Sequence, residues 1–241
     1  MSLRFAYGLV LLLILPTQSI ACIWQNGQSP YWSSLQIPVC FNAPSASERR
    51  NSLTDFRRAQ RIIQSAYEGL SRSSSIQFVG FDLCTDENPR TQKIRIDLQE
   101  TGSTGEAAGI GPGYSTVATN LTIPYLMAPR NGTPAQINET NLSFLIVHET
   151  MHLLGFHHDK SRGDHKYFST LSNAIIVGPF DANSAMSMEL AENTLINRNE
   201  PISRSAPYLS QGDRHCLNLL AERNITSREE STSHTRTPQE R

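Results

Sequence analysis

From His148 onward the chain reads His148-Glu149-Thr150-Met151-His152-Leu153-Leu154-Gly155-Phe156-His157-His158. Four residues make about one turn of α-helix, so His148 and His152 stand on one face and their imidazoles can reach a common point. Neutral imidazole binds zinc at ~2.0–2.1 Å, and hydrolytic zinc sites take three protein ligands while keeping a fourth position for water. Glu149 then points beside such an ion rather than onto it, where a carboxylate can serve as general base. Gly155 opens a route to the third ligand. A glycine in the left-handed conformation ends a helix and turns the chain sharply enough for a nearby histidine to come back to the metal. His158 has the spacing for that role, and its neighbour His157 is the competing ligand.

The short pattern His-Glu-x-x-His recurs by chance, but the longer one fixes five positions. At near-uniform residue usage it would arise by accident in roughly one chain of this size in ten thousand. Its setting adds weight. Leu142, Phe144, Leu145, Ile146, Val147, Leu153 and Leu154 surround it, which predicts a buried helix beginning near the cap-type residues Thr140 and Asn141. Imidazoles and a carboxylate in such a helix are costly unless they are paired or bind metal. His165, His215 and His234 have no matching partners and read as surface residues.

Other elements must position this helix. Leu35–Phe41 reads as a strand, with Pro38 arguing for a sheet edge or a strand beginning. Thr54–Leu70 reads as a helix, because Phe56, Ala59, Ile62, Ile63, Ala66 and Leu70 recur at three- and four-residue steps. Ser75–Phe81 and Lys93–Leu98 alternate as strands, and a weaker strand signal covers Tyr114–Ile123 after a Gly-, Ser- and Thr-rich loop over Thr101–Pro112. The order strand, helix, strand, strand predicts an α+β protein with an α/β-type beginning. Beyond Gly155 the chain reads as irregular until Ser210, which caps a short final helix carrying Cys216, Leu217, Leu219 and Leu220.

The chain ends read differently from the middle. Arg4, the apolar run Leu9–Leu15 and the small residues Ser19 and Ala21 predict an export signal over residues 1–21. Residues 22–222 then form one catalytic domain, and 223–241, polar apart from Ile225, form a disordered tail. Four cysteines, Cys22, Cys40, Cys84 and Cys216, can make two disulfides with three possible connectivities in an oxidising compartment. The expected location is extracellular, or periplasmic or lipid-anchored through Cys22 in a bacterium, although lipidation would leave an odd three cysteines. Five Asn-x-Ser/Thr sequons, at Asn120, Asn131, Asn138, Asn141 and Asn224, carry meaning only where exported proteins are glycosylated. With 21 Lys and Arg against 22 Asp and Glu, no overall field draws nucleic acid, and no later stretch is long and apolar enough to cross a membrane.

These residues resemble the metzincin peptidases. Gly155-Phe156-His157-His158-Asp159-Lys160-Ser161-Arg162-Gly163-Asp164 is similar to the astacin pattern, with Asp159 where astacins carry Glu. Phe180-Asp181-Ala182-Asn183-Ser184-Ala185-Met186-Ser187-Met188 resembles the astacin methionine turn and selects Met186, and Leu209–Asp213 resembles the segment before the last helix. The likeness spans about Gln36 to Ala221 and is sharp over two motifs, as in a divergent astacin- or matrixin-type secreted peptidase. It implies a twisted mixed-sheet lobe over a smaller C-terminal lobe that ends in a helix. It also implies one catalytic zinc ion on His148, His152 and His158, Glu149 as general base, and protein or peptide substrates; the sequence leaves the oligomeric state open, and a monomer is assumed. An edge strand for substrate is expected between Gly113 and Ala128, and Asp159 is expected to bind the mature amino terminus. Two departures stand out. Ser187-Met188 replaces the usual His-Tyr, and little chain precedes the first strand to serve as an inhibitory propeptide. The rival readings are a catalytically silent zinc scaffold that binds protein partners, against which the intact Glu149 speaks, and a structural zinc site, which would need a fourth protein ligand.

Overall fold

The computed structural model describes residues 22–25, 32, 34–85, 92–101, 106–107, 119–126, 136–158, 174–187 and 208–233. The export signal, Asp159, His165, Met188 and the chain beyond 233 lie outside them.

Among the described residues β1 (Cys22–Gln25) comes first, followed by β2 (Gln36–Phe41), the helices α1 (Ala46–Asn51) and α2 (Leu53–Ser73), and β3 (Gln77–Leu83). β2 and β3 are parallel and joined through α2, a βαβ crossover. The apolar face of α2 is buried at Phe56, Ala59, Ile63, Ala66, Tyr67 and Leu70; of the residues whose spacing predicts the helix only Ile62 is half-buried, and Tyr67 joins them. Fully burying one of its larger apolar side chains stabilises by about 1.5–3 kcal/mol. α1 was not anticipated, although its sequence signal is present: Ser45 and Glu48 form a reciprocal capping box.

β4 (Ile94–Thr101), β5 (Glu106–Ala107) and β6 (Thr119–Leu126) complete a five-stranded mixed sheet in the order β3-β2-β4-β6-β5. Only β5 runs antiparallel to its neighbour. Ile94, Ile96 and Leu98 lie on the buried face of β4, and Leu121, Ile123 and Tyr125 continue that core on β6. Two expectations change here. β2 is interior rather than an edge, because β3 and β4 flank it; Pro38 is tolerated since pairing with β4 begins only at Val39. Among the described residues the outermost strand beside β6 is β5, inside the stretch read as a loop, and it pairs with β6 at Leu121 and Thr122 only.

The helix α3 (Glu139–Leu153) carries the histidine motif and packs against α2, β5 and β6. Its N-cap is Asn138, whose side chain accepts the Asn141 N–H at 3.1 Å, two to three residues before the cap expected from sequence. Asn141 itself is buried. β7 (Ala174–Val177) pairs antiparallel with β1, a two-stranded sheet that sequence analysis did not anticipate.

The final helix α4 (Gln211–Ser233) is longer than the short helix expected. Ser210 caps it as read, accepting the Asp213 N–H at 3.0 Å. Its backbone runs on into the stretch read as a disordered tail from 223, where no Gly or Pro interrupts it before Pro238. The fold is α+β, with a mixed sheet, a buried histidine-bearing helix and a C-terminal helix. Disulfides join Cys40 to Cys84 beside the β2–β3 pair, and Cys22 on β1 to Cys216 on α4.

Candidate metal centre

α3 is buried on every side: from Asn141 to Leu153 only Ser143 is less than buried. His148, Glu149 and His152 are therefore held in a dry environment, at 4 %, 7 % and 8 % exposure. The helix ends in a Schellman turn. Gly155 takes φ +99°, its N–H donates to the His152 carbonyl at 2.9 Å, and the Phe156 N–H donates to the Met151 carbonyl at 3.0 Å. That reversal brings His158 back over the helix.

The three ring nitrogens converge. His158 Nε2 lies 3.0 Å from His148 Nε2 and 2.9 Å from His152 Nε2. Among the described residues, these three histidines form the one cluster suited to holding a metal ion. His157 is buried beside them but does not join the cluster.

The opposite edges of the rings explain the orientation. His148 Nδ1 donates to the Ala185 carbonyl at 2.7 Å, and His152 Nδ1 donates to the Phe156 carbonyl at 2.8 Å. With their single protons on Nδ1, both neutral rings present lone pairs at Nε2. Two such acceptors facing His158 at these distances cannot both be satisfied by one imidazole N–H, whereas a divalent cation between the three nitrogens satisfies all of them. The donor set therefore fits zinc.

Burial, the largest cause, pushes the pKa of His148 below its ordinary value, although the Ala185 hydrogen bond opposes this. Burial also pushes His152 down, to about 3, with the charge of His148 adding to the effect and the Phe156 hydrogen bond opposing it. Both imidazoles are thus neutral ligands rather than cations near neutral pH.

Supports arrive from distant parts of the chain. The Trp32 indole donates to the Leu153 carbonyl at 3.2 Å, the His157 N–H donates to the Ile23 carbonyl at 2.9 Å, and the Trp24 and Phe156 rings meet edge to face at 5.9 Å. Thr150 donates to the Tyr67 hydroxyl at 2.9 Å, tying α3 to α2. Beneath the histidines, residues 181–187 form tight turns, with Met186 buried and its N–H on Ser184 Oγ at 3.0 Å.

Residues 138–195, which take in α3, the glycine turn and the methionine turn, match the model of the Astacin peptidase family. Over this segment the chain resembles the astacin-type metzincins. No curated protein sequence matches it. Among solved structures, two of myroilysin are similar to this astacin-like chain at 14% identity and a TM-score of 0.45. One match covers 80% of this chain and 82% of that chain, the other 82% and 87%.

The sequence motif placed the histidines but not the groups that orient them. Ala185 and Phe156 act through backbone carbonyls, which leave no residue-type signal. Asp213 had one, the Ser210-x-x-Asp213 capping pattern, yet its reach to residues 184 and 185 could not be read from that.

Proposed function

We propose that this astacin-like chain is a secreted zinc-dependent endopeptidase whose catalytic domain comprises residues 22–222. The observation that carries the reading is the convergence of three imidazole Nε2 atoms, two of them with Nδ1 already committed to backbone carbonyls. His148, His152 and His158 would hold the ion. Zinc bound there would lower the pKa of a water towards 7 and polarise a scissile carbonyl. Glu149, adjacent to His148 on α3 and buried in the same dry setting, is assigned to take the proton from the attacking water and deliver it to the leaving amine. Met186 floors the site as a packing element.

Burial supports this division of labour, because a dry pocket strengthens the pull of a carboxylate on a nearby proton and keeps bulk water from competing. An extended peptide can pair with the part of β6 that β5 leaves open, using main-chain hydrogen bonds that tolerate many side chains. Two disulfides suit an oxidising compartment and support the export reading.

The test joins metal content to turnover. The chain from Cys22 onward should bind one zinc and cleave an unfolded protein, and a chelator should stop the cleavage. Glu149→Gln should keep the zinc and lose about 10²–10⁴-fold in rate. Full activity in that variant would remove Glu149 from the mechanism, and a wild-type protein without zinc would remove the metal reading.

A further inference from the structure

Asp213, in the first turn of α4, is 1 % exposed, and no cationic side chain among the described residues pairs with it. A carboxylate so placed is costly unless donors surround it. Capping explains only part of its bonding: the Ser210 N–H donates to it at 2.8 Å. The remainder reaches across the fold. Ser184 Oγ donates to Oδ1 at 2.6 Å and the Ala185 N–H donates to Oδ2 at 2.8 Å, from positions 29 and 28 residues away in sequence. Ser184 Oγ in turn accepts the Met186 N–H at 3.0 Å.

Ala185 is thereby held on both sides. Its N–H is fixed by Asp213, and its carbonyl, at the other end of the residue, accepts Nδ1–H of His148 at 2.7 Å. That bond decides which nitrogen of His148 carries the proton and which way the ring faces, so that Nε2 meets His158. A cap needs none of this, and a merely structural aspartate need not end on the very residue whose carbonyl accepts from His148.

We propose that Asp213 is a positioning residue for His148, acting through the Ala185 peptide: it locks the turn so that the carbonyl of Ala185 keeps His148 in the Nδ1–H form with Nε2 turned to the metal position. This rests on the zinc reading above for its effect on metal, but not for its effect on the ring itself.

The experiment has a metal-free arm and a metal arm. In chelator-stripped protein, ¹⁵N NMR of the His148 ring should show the Nδ1–H tautomer in the wild type and a mixture in Asp213→Asn, whose amide cannot accept from three donors. Ser184→Ala, a milder change that keeps the carboxylate, should move the ring in the same direction and decides the matter if Asp213→Asn does not fold. With zinc restored, competition against a chromophoric chelator should show affinity lowered about 10–100-fold in Asp213→Asn and less in Ser184→Ala. Turnover should fall mainly in kcat, with KM little changed. Ile37→Val, which thins the buried strand β2, should lower the melting temperature while leaving tautomer and affinity as in the wild type. Folded variants with the wild-type tautomer and affinity would overturn the assignment of Asp213. Failure of the wild type itself to bind zinc would sink the metal reading instead, and the NMR arm would still judge Asp213.

Discussion

The carbonyl of Ile23 accepts the N–H of His157 at 2.9 Å, so the second residue of β1 holds the residue next to the third histidine. β1 is short and borrows its order from elsewhere: β7 pairs along it, Trp24 packs on Phe156, and Cys22 is bonded to Cys216 on α4 across 194 residues of sequence. The amino-terminal strand is thus a brace for the loop that returns His158 to the helix.

Removing that bond with Cys22→Ser and Cys216→Ser together should therefore act twice. The chain-entropy estimate for so long a loop is about 5 kcal/mol of lost stability. Calorimetry should show a large drop in melting temperature, and the folded fraction should also bind zinc more weakly, because β1 no longer braces Phe156 and His157. A double variant with wild-type zinc affinity and only lower stability would show that the brace is mechanical and does not reach the site.

Which histidine completes the triad can be decided by paired substitutions. His158→Ala should weaken zinc by more than the roughly 10–100-fold that loss of an outer partner costs, since it removes a nitrogen 2.9–3.0 Å from the other two. His157→Ala should stay at or below that range, because its ring lies outside the cluster. The reverse order in a chelator titration would move the third ligand to His157.

The parts of this molecule legible in sequence are those in which one local rule dominates. The i, i+4 histidines and the following glycine work through helix geometry alone, and the alternation of Ile94, Ile96 and Leu98 works through the pleat of β4. β1, β5 and β7 are two to four residues long and exist because a partner lies alongside, so no periodicity could announce them. Pro38 misled for a related reason. The rule that puts proline at sheet edges concerns its missing N–H, and here the neighbouring ladder starts one residue later. Asp213 was visible as a capping partner only, because Ser184 and Ala185 become its neighbours through the closure of the fold.

Gly155 should be intolerant of a side chain. At φ +99° an alanine is strained by about 1–3 kcal/mol, and the strain falls at the turn that directs Phe156 towards His152 Nδ1 and His158 towards the metal position. Gly155→Ala should lose that much stability in urea titrations and bind zinc more weakly. Unaltered stability would mean that the turn relaxes to another conformation without cost.

Asp213 also sets a pH dependence with a definite sign. Burial, the largest cause, raises its folded-state pKa above the ordinary value of 3.8, although bonds from Ser184, Ala185 and Ser210 oppose the rise. The folded protein then keeps the proton to higher pH than the unfolded chain does. Its contribution to stability is greatest below about pH 3.8 and declines as pH rises through the folded pKa. Asp213→Asn cannot titrate and lacks this step. Urea denaturation of both proteins from acid to neutral pH should therefore show the wild type losing stability relative to the variant as pH rises over that window, whatever the constant offset from lost hydrogen bonds. A wild type that instead gained on the variant with rising pH would mean that the three donors outweigh burial and hold the folded pKa below its ordinary value.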